Sequence, residues 1–470
     1  MENKYQHDYN LSQWVNEFEI LTQQGEKTTF DIRIYQKLIE YYQNEGDLKK
    51  AVSVADSGLE QYGYRVDFYL VKCRLLLSLK QPLGAMDCLH QAEQLHPQNT
   101  DVLLTKALIL SDLKDKGAAL SLLHDLKGYV GQSDLVEVLI CETEVYFQAE
   151  EFDKGFITLK DALRSDAYHE KGQQLLSEYI TSSRNYHIIT LFLQEMLENA
   201  PYSHFAWYNL GHCYSNLGEY AQAIDAFEYA FLIKPQFEQA YLDCAETCVL
   251  LRQWDKALSV YQEVLNTFGE EYDILISISE CCIALKDIKQ AKKYLSQSLK
   301  LDVFGEESHY LMGQCYAVEE KWNKAIQSYR RAISIDDTSD TYFLALAKAY
   351  AQVGELDKAH RNFRKATQNA PEQNTYWFEH ASFLLKQGKI QQALDILDQG
   401  EIASVGSDLL YCRAAIYYIL GDKTRSIDIL AEVLEDDFNG HNCIYILAPD
   451  MQEDRDIQSI INYYKGEILE

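Results

Sequence analysis

Small side chains recur at intervals of 34 residues through most of this 470-residue sequence. Counting from Ala223 in both directions, with one step of 36 and one of 33, gives twelve positions, and all except Ile189 hold Ala, Gly or Ser. The twelve positions are Ala51, Ala85, Ala119, Gly155, Ile189, Ala223, Ala257, Ala291, Ala325, Ala359, Ala393 and Ser426. Constant spacing over this length indicates a tandem array of one structural unit, because a single core rarely grows beyond about 250–300 residues.

The repeating unit is predicted to be a pair of antiparallel helices. Only 6 prolines and 22 glycines interrupt the chain, which favours helices joined by short turns. A small residue where two helices cross lets their backbones approach closely, and neighbouring pairs then stack into a continuous core. The register starts repeats at Ile32, Val66, Thr100, Val136, Glu170, His204, Glu238, Tyr272, Glu306, Asp340, Asn374 and Ser407.

One stretch carries a complete family pattern. From His204 the sequence reads HFAWYNLGHCYSNLGEYAQAIDAFEYAFLIKPQ. Its pattern residues are Trp207, Leu210, Gly211, Tyr214, Ala223, Phe227 and Pro235. These match the tetratricopeptide pattern W-x2-L-G-x2-Y…A-x3-F…P at every position. The chain therefore resembles tetratricopeptide repeat proteins of the bacterial type, with about twelve repeats. The resemblance implies an all-α, right-handed α-α superhelical solenoid of helix pairs with a capping helix at each end.

The register also divides the chain. Residues 1–31 are predicted to form an N-terminal capping helix, residues 32–440 twelve tandem repeats, and residues 441–470 a C-terminal capping helix. Caps are expected because a solenoid must cover its exposed core edges, although either end helix could instead bind a partner or dimerise. Two extra residues predict a bend near 131–136, and a second is predicted at the degenerate repeat 170–203.

The charge balance limits the kinds of partner. Lys and Arg number 43 against 72 Asp and Glu, a formal net charge of −29. Nucleic acids and anionic membranes are bound by surplus Lys and Arg, so we expect no nucleic-acid and no membrane partner. The acidity either keeps a large surface soluble or meets a basic partner. Without a secretory signal, a membrane span or a spaced cysteine framework, the cytoplasm is the expected location.

Chemical motifs do not indicate catalysis. The sequence lacks the phosphate-binding, dinucleotide-binding, zinc-protease and nucleophile-elbow motifs, so no enzymatic activity and no cofactor are predicted. Cys244 and Cys248 are spaced as two thiolates on one helix face could be for zinc. The repeat register instead assigns them to core sites, where cysteine behaves as a small hydrophobe, and no metal is predicted. Cys213, Cys281 and Cys315 share a further core site.

The resemblance also implies where a ligand binds. In this family the first helices line the concave face, and ligand contacts come from the second, fifth, ninth, twelfth and thirteenth positions of each repeat. Carried onto this sequence, those positions supply the candidate groove residues Glu144, Glu178, Tyr208, His212, Leu242, Glu246, Asp273, Ile276, Glu280 and Tyr310. The groove is thus apolar along one line and acidic along the next.

These observations lead to two functional hypotheses. The first is a non-catalytic scaffold or adaptor that binds a peptide or partner protein, basic and partly apolar, in the concave groove. The second is a regulatory subunit of an enzyme complex, or a self-assembling scaffold that docks through its end caps, and a homo-oligomer is compatible with it. A third arrangement leaves the groove glutamates solvated, with the partner on the convex face or on an end cap.

Overall fold

The computed structural model describes residues 2–183 and 185–469, with side chains for residues 11–131, 134–183 and 185–465. Regular structure in these residues is helical, and they contain no strand. The helices are α1 (Glu2–Gln24), α2 (Ile32–Asn44), α3 (Leu48–Gln61), α4 (Val66–Ser78), α5 (Pro82–Leu95), α6 (Thr100–Asp112), α7 (Lys116–Lys127), α8 (Gln132–Gln148), α9 (Phe152–Ser165), α10 (Glu170–Ser182), α11 (Tyr186–Asn199), α12 (His204–Asn216), α13 (Tyr220–Ile233), α14 (Glu238–Leu250), α15 (Trp254–Phe268), α16 (Tyr272–Ala284), α17 (Ile288–Leu301), α18 (Glu306–Val318), α19 (Trp322–Ile335), α20 (Asp340–Gln352), α21 (Leu356–Asn369), α22 (Asn374–Lys386), α23 (Ile390–Ala403), α24 (Ser407–Ile419), α25 (Lys423–Asp436), α26 (Cys443–Leu447) and α27 (Arg455–Leu469). Two short 3-10 helices, Phe438–Asn442 and Pro449–Gln452, flank α26.

The chain forms two compact units, Met1–Thr247 and Cys248–Glu470. Within each unit successive helices pack in pairs, such as α12 with α13 in the first unit and α18 with α19 in the second. Inside a unit each pair then packs on the next, as α19 does on α20. The predicted all-α fold of stacked helix pairs is therefore confirmed, and it arises from contacts between neighbours in sequence.

The helix starts follow the repeat register closely. Eleven of the twelve first helices begin at the residue where the register starts a repeat. The fourth, α8, begins at Gln132, four residues before Val136, and has 17 residues where the other first helices of the array have 13. The two extra residues of this repeat thus lengthen a helix. The bends near 131–136 and at 170–203 stay predictions.

The small residues pack where the paired helices meet. Ala223, Ala257 and Ala325 are fully buried. The eighth position of the first helix is equally crowded, because a Cβ added to Gly313 would lie 2.5 Å from the ring of Tyr329 on the paired helix. A Cβ added to Gly211 would likewise lie 2.5 Å from the ring of Phe227. In these two pairs the aromatic ring therefore packs directly against the glycine backbone, which leaves no room for a larger side chain.

The fifth pair fills its core differently. Ile189 replaces the small residue and is fully buried. On the preceding helix, Tyr179 stacks against Phe156 with ring centroids 4.5 Å apart and an interplanar angle of 13°. Tyr179 also donates a hydrogen bond to the Asp153 carboxylate at 3.1 Å. An aromatic stack thus supplies packing in this repeat although the family's usual aromatic positions are not kept.

Turns between paired helices share one backbone conformation. The fifteenth residue of the repeat has a positive φ in every repeat whose turn is described. Five of these positions are glycine, and six carry side chains: Lys80, Lys114, Glu150, Arg252, Lys286 and Glu320. Left-handed backbone costs a residue with a Cβ about 1–2 kcal/mol, so these six turns are locally strained.

Both end helices cover apolar surface. Phe18 of α1 is buried and packs at 6.3 Å from the ring of Tyr42 on α2. At the other end, Ile457 and Ile461 of α27 are buried in a cluster with residues of α25 such as Leu430. Among the residues whose structure is described, no helix combines the length and the apolar character needed to cross a bilayer.

Candidate interaction surface of the first helices

Three carboxylates lie together on first helices of the second unit. Asp273 and Glu280 are exposed on α16, seven residues and thus about two turns apart on one face. Glu307 follows on α18 and is half-buried. Partial burial, and then the charge of Glu307, raise the pKa of Glu280 above its ordinary value. The pKa of Glu307 is also raised, first by burial and then by the charges of Glu306 and Asp273.

Within the part of the chain that the structure describes, neither Glu280 nor Glu307 forms an ion pair. Carboxylates held close together without a counter-ion repel one another, and this repulsion adds to the effect of burial in raising the pKa values of Glu280 and Glu307. A basic group brought to this surface would relieve that repulsion.

Tyr310 adjoins the carboxylates on the fifth position of α18. Its ring lies 4.8 Å from Tyr342 and 5.8 Å from Tyr329. Burial is the main cause that raises the pKa of its hydroxyl, and the charge of Glu280 adds to it. We name Asp273, Glu280, Glu307 and Tyr310 the acidic patch. Ile276, one turn before Glu280, is only 5% exposed and belongs to the wall beneath the patch.

A cavity of 720 Å³ opens beside Tyr310, between α18, α20 and α22. Part of its polar lining comes from groove positions of the first helices, such as Gln314, Lys348 and Lys386. Its apolar lining includes Leu344 and the second-helix side chains Trp322 and Phe363. Lys348 Nζ donates a hydrogen bond to Glu379 Oε1 at 2.8 Å. This volume suits one or two large apolar side chains of a ligand.

The first unit places Tyr208 and His212 against an acid. His212 Nε2 lies 3.1 Å from Asp243 Oδ2, and the rings of Tyr208 and His212 meet edge to face at 4.5 Å. Burial alone would raise the pKa of Asp243, but hydrogen bonds from His212 and Tyr208 outweigh it and lower that pKa. Glu246 is exposed on the same helix, and its pKa is raised by partial burial and then by the charge of Asp243.

Asp243 was not among the residues predicted for the groove. It occupies the sixth position of its repeat, which lies outside the ligand-contacting positions that the resemblance implies. The repeat register could have indicated the contact between Asp243 and His212. The sixth position of one repeat, here Asp243, lies beside the ninth position of the preceding repeat, here His212. Leu242, the fifth-position neighbour of Asp243, is half-buried.

The remaining candidates of the first unit differ in their charge environment. Glu144 Oε2 accepts a hydrogen bond from Lys171 Nζ at 2.7 Å, so its charge is compensated. Glu144 and Lys171 line a cavity of 390 Å³ in the first unit. In the lining of this cavity, His169 Nε2 also lies 3.1 Å from Glu137 Oε1. Glu178 is exposed. The charged side chains around this first-unit cavity therefore largely pair with one another, unlike those of the acidic patch.

The cysteines occupy core positions. Cys213, Cys281 and Cys315 are buried, and burial raises the pKa of their thiols to about 12, 12 and 11 respectively. Cys244 and Cys248 are each fully buried as well. The described residues contain no group of three or more His, Cys, Asp or Glu side chains placed to hold a metal ion.

Family sequence models support the repeat assignment along much of the chain. Models described as tetratricopeptide repeat match residues 204–237, 249–315 and 344–407, and one described as TPR repeat matches residues 313–354. The chain is a tetratricopeptide repeat protein. The longest single matches lie in the second unit, which also carries the acidic patch.

Two curated proteins are similar to parts of this chain. Anaphase-promoting complex subunit 3 of Schizosaccharomyces pombe is 21% identical over 197 residues, which are 41% of this chain and 29% of that protein. Tetratricopeptide repeat protein 21B of Mus musculus is 21% identical over 213 residues, covering 43% of this chain and 16% of that protein. The chain thus spans less than a third of the length of these curated relatives.

Two solved structures are also similar to this chain. A tetratricopeptide repeat protein from Parabacteroides merdae matches with a TM-score of 0.42 and 15% identity, over 56% of this chain and 98% of that one. The Cut9–Hcn1 hetero-tetramer of the APC/C matches with a TM-score of 0.37 and 14% identity, over 86% of this chain and 97% of that one.

Proposed function

We propose that this tetratricopeptide repeat protein is a non-catalytic scaffold that binds a basic, partly apolar segment of a partner protein. The segment lies along the first helices of the second unit, over the acidic patch and into the 720 Å³ cavity. The observation that carries the proposal is the pair of uncompensated carboxylates, Glu280 and Glu307, next to the half-buried ring of Tyr310.

The two kinds of contact have different roles. Exposed ion pairs contribute only about 0.2–1 kcal/mol each, so Lys or Arg side chains over Glu280 and Glu307 supply little affinity. Apolar anchors that enter the cavity between Leu344, Trp322 and Phe363 supply most of it. The carboxylates then accelerate association and make it dependent on salt concentration.

A synthetic Lys/Leu peptide with a fluorescent label is a suitable probe. The variant Glu280→Lys/Glu307→Lys is expected to slow association and to flatten its salt dependence, and Tyr310→Ala to speed dissociation. The matched control is Glu263→Lys/Glu270→Lys, which makes the same charge change at two exposed acids of the second unit outside the patch. Equal losses in the patch and control variants would show that only the overall charge of −29 attracts the peptide.

Membership of a larger assembly is a second candidate function. One matched protein is, by its name, a subunit of the anaphase-promoting complex. In this arrangement the chain acts as a regulatory or structural subunit, and α1 or α27 forms the contact with another subunit or a second copy. Sedimentation of the purified chain, with and without α27, tests the self-assembling form. A monomer in both cases over the accessible concentration range excludes it.

A further inference from the structure

Two second helices of the second unit carry a concentration of positive charge that is unusual for this acidic chain. Helices α19 and α21 together contain seven Lys and Arg residues against one acid, whereas the whole chain has 43 against 72. The seven are Lys324, Arg330, Arg331, Lys358, Arg361, Arg364 and Lys365. All of them are exposed.

These cations flank a groove. A cavity of 390 Å³ lies between α19 and α21, with Arg330 on one side and Lys358, Arg361 and Lys365 on the other. Its floor is formed by α20, through side chains that include Phe343 and Leu346. We name this the outer groove. It is distinct from the 720 Å³ cavity, which α20 lines with Thr341, Leu344 and Lys348 from another face of the helix.

The spacing of the cations follows the helix. Lys358, Arg361 and Lys365 recur at intervals of three and four residues, so they form one ridge along α21. Lys365 Nζ lies 4.8 Å from the ring centroid of Phe343, and Lys358 Nζ lies 5.5 Å from that of Tyr350. Cation–π contacts with the aromatic rings of the floor therefore hold the Lys358 and Lys365 side chains across the groove, so that their ammonium groups have defined positions.

Internal acids compensate little of this charge. Lys358 forms an exposed ion pair with Glu355 at 3.3 Å. Arg330, Arg361 and Lys365 form no ion pair with any residue of the described chain. Like charges held side by side repel one another, so an external anion that reaches the groove is stabilised by several cations at once.

We propose that the outer groove binds a short acidic, amphipathic segment of a partner protein. Its carboxylates meet Arg361, Lys365 and Arg330, and an apolar side chain covers the half-buried Ile333 and Tyr350 on the cavity wall. This goes beyond the proposed function, because it concerns the second helices and a partner of opposite charge.

The apolar part of the groove distinguishes this occupant from other anions. Nucleic acid and polyphosphate have no aliphatic side chain to cover the half-buried Ile333. An extended polyanion or an anionic bilayer also comes close to the acidic remainder of the chain, whose net charge of −29 repels it. A short segment avoids this repulsion, because charges farther away than about 8–10 Å are screened at physiological salt.

The test uses a short fluorescein-labelled Glu/Leu peptide with its leucines on one helical face, and the full chain. Arg361→Glu/Lys365→Glu is expected to weaken peptide binding by about ten-fold or more, because attraction becomes repulsion. The matched control is Lys289→Glu/Lys293→Glu, which makes the same change at two exposed lysines, four residues apart, on second helix α17. That control is expected to change the affinity by less than about two-fold.

Two further probes distinguish the class of partner. Duplex DNA and phosphatidylserine vesicles are expected to bind the wild-type chain more weakly than the peptide. The proposal is overturned if the wild-type chain does not bind the peptide, or if the control loses as much affinity as the groove variant. It is also overturned if DNA or vesicles bind more tightly than the peptide and lose binding in Arg361→Glu/Lys365→Glu. Circular dichroism of each variant verifies the helical fold.

Discussion

His380 Nε2 and His360 Nδ1 lie 3.0 Å apart, so the two imidazoles share a single hydrogen bond in the second unit. His380 is fully buried, its ring stacks on Phe363 at 5.5 Å, and its Nδ1 has no hydrogen-bond partner in the described chain. Burial, and then the charges of His360 and Arg364, lower the pKa of His380 to about 3. The pair is therefore neutral in the folded protein near pH 7.

Acidification should consequently destabilise the second unit. The unfolded histidine has a pKa of about 6.5, so below that pH the unfolded state binds more protons and the free energy of unfolding falls. His380 alone should contribute a loss of about 1 kcal/mol between pH 7.5 and 5.5. The variant His380→Phe should reduce this dependence in urea titrations, whereas His187→Phe, at an exposed site, should not. An unchanged pH dependence in His380→Phe would contradict the assignment.

The crossing alanines should not tolerate enlargement. Ala223→Leu, Ala257→Leu and Ala325→Leu each add volume to a fully buried contact and should cost about 1–3 kcal/mol of unfolding free energy. Ala221→Leu changes an exposed residue of the same helix as Ala223 and serves as the control. Melting temperatures measure the effect. If the three crossing variants have the same melting temperature as the Ala221→Leu control, these alanines do not lie at the crossings.

Glycine should stabilise the strained turns. Lys286 and Glu320 adopt φ values of 64° and 58°, a region that costs side-chain-bearing residues about 1–2 kcal/mol. Lys286→Gly and Glu320→Gly should therefore raise the free energy of unfolding. The gain should be about 0.5–1 kcal/mol each, because the larger conformational entropy of glycine in the unfolded chain offsets part of the relieved strain. The reverse change, Gly218→Ala at a φ of 78°, should lower it. Chemical denaturation distinguishes the two signs.

Core cysteines should resist modification until the protein unfolds. Cys213, Cys281 and Cys315 are buried with raised thiol pKa values, so little reactive thiolate forms at neutral pH. Cys443 is the more accessible thiol and should react first with a thiol reagent, although burial also raises its pKa to about 12. Stoichiometric zinc in the purified protein, lost in Cys244→Ser, would refute the core assignment.

The sequence by itself determined the repeat architecture and the starts of eleven of the twelve first helices. The reason is that each helix pair is stabilised by contacts within 34 residues, and the small residue at the crossing, such as Ala223, is visible wherever the contact recurs. The exception is α8, which begins at Gln132, four residues before Val136, because the spacing of the crossing residues does not fix how far a helix extends at its start.

Only the tertiary structure decided which charges on this scaffold are compensated. Glu144 and Glu280 occupy the same repeat position, yet Lys171 neutralises the first, whereas the like charge of Glu307 acts on the second. Asp243 reaches His212 from the next repeat. The repeat spacing gives the position of a residue on its helix. The charge state of its side chain depends instead on distances of a few ångströms to residues of adjacent repeats. Those distances are set by how the helix pairs stack.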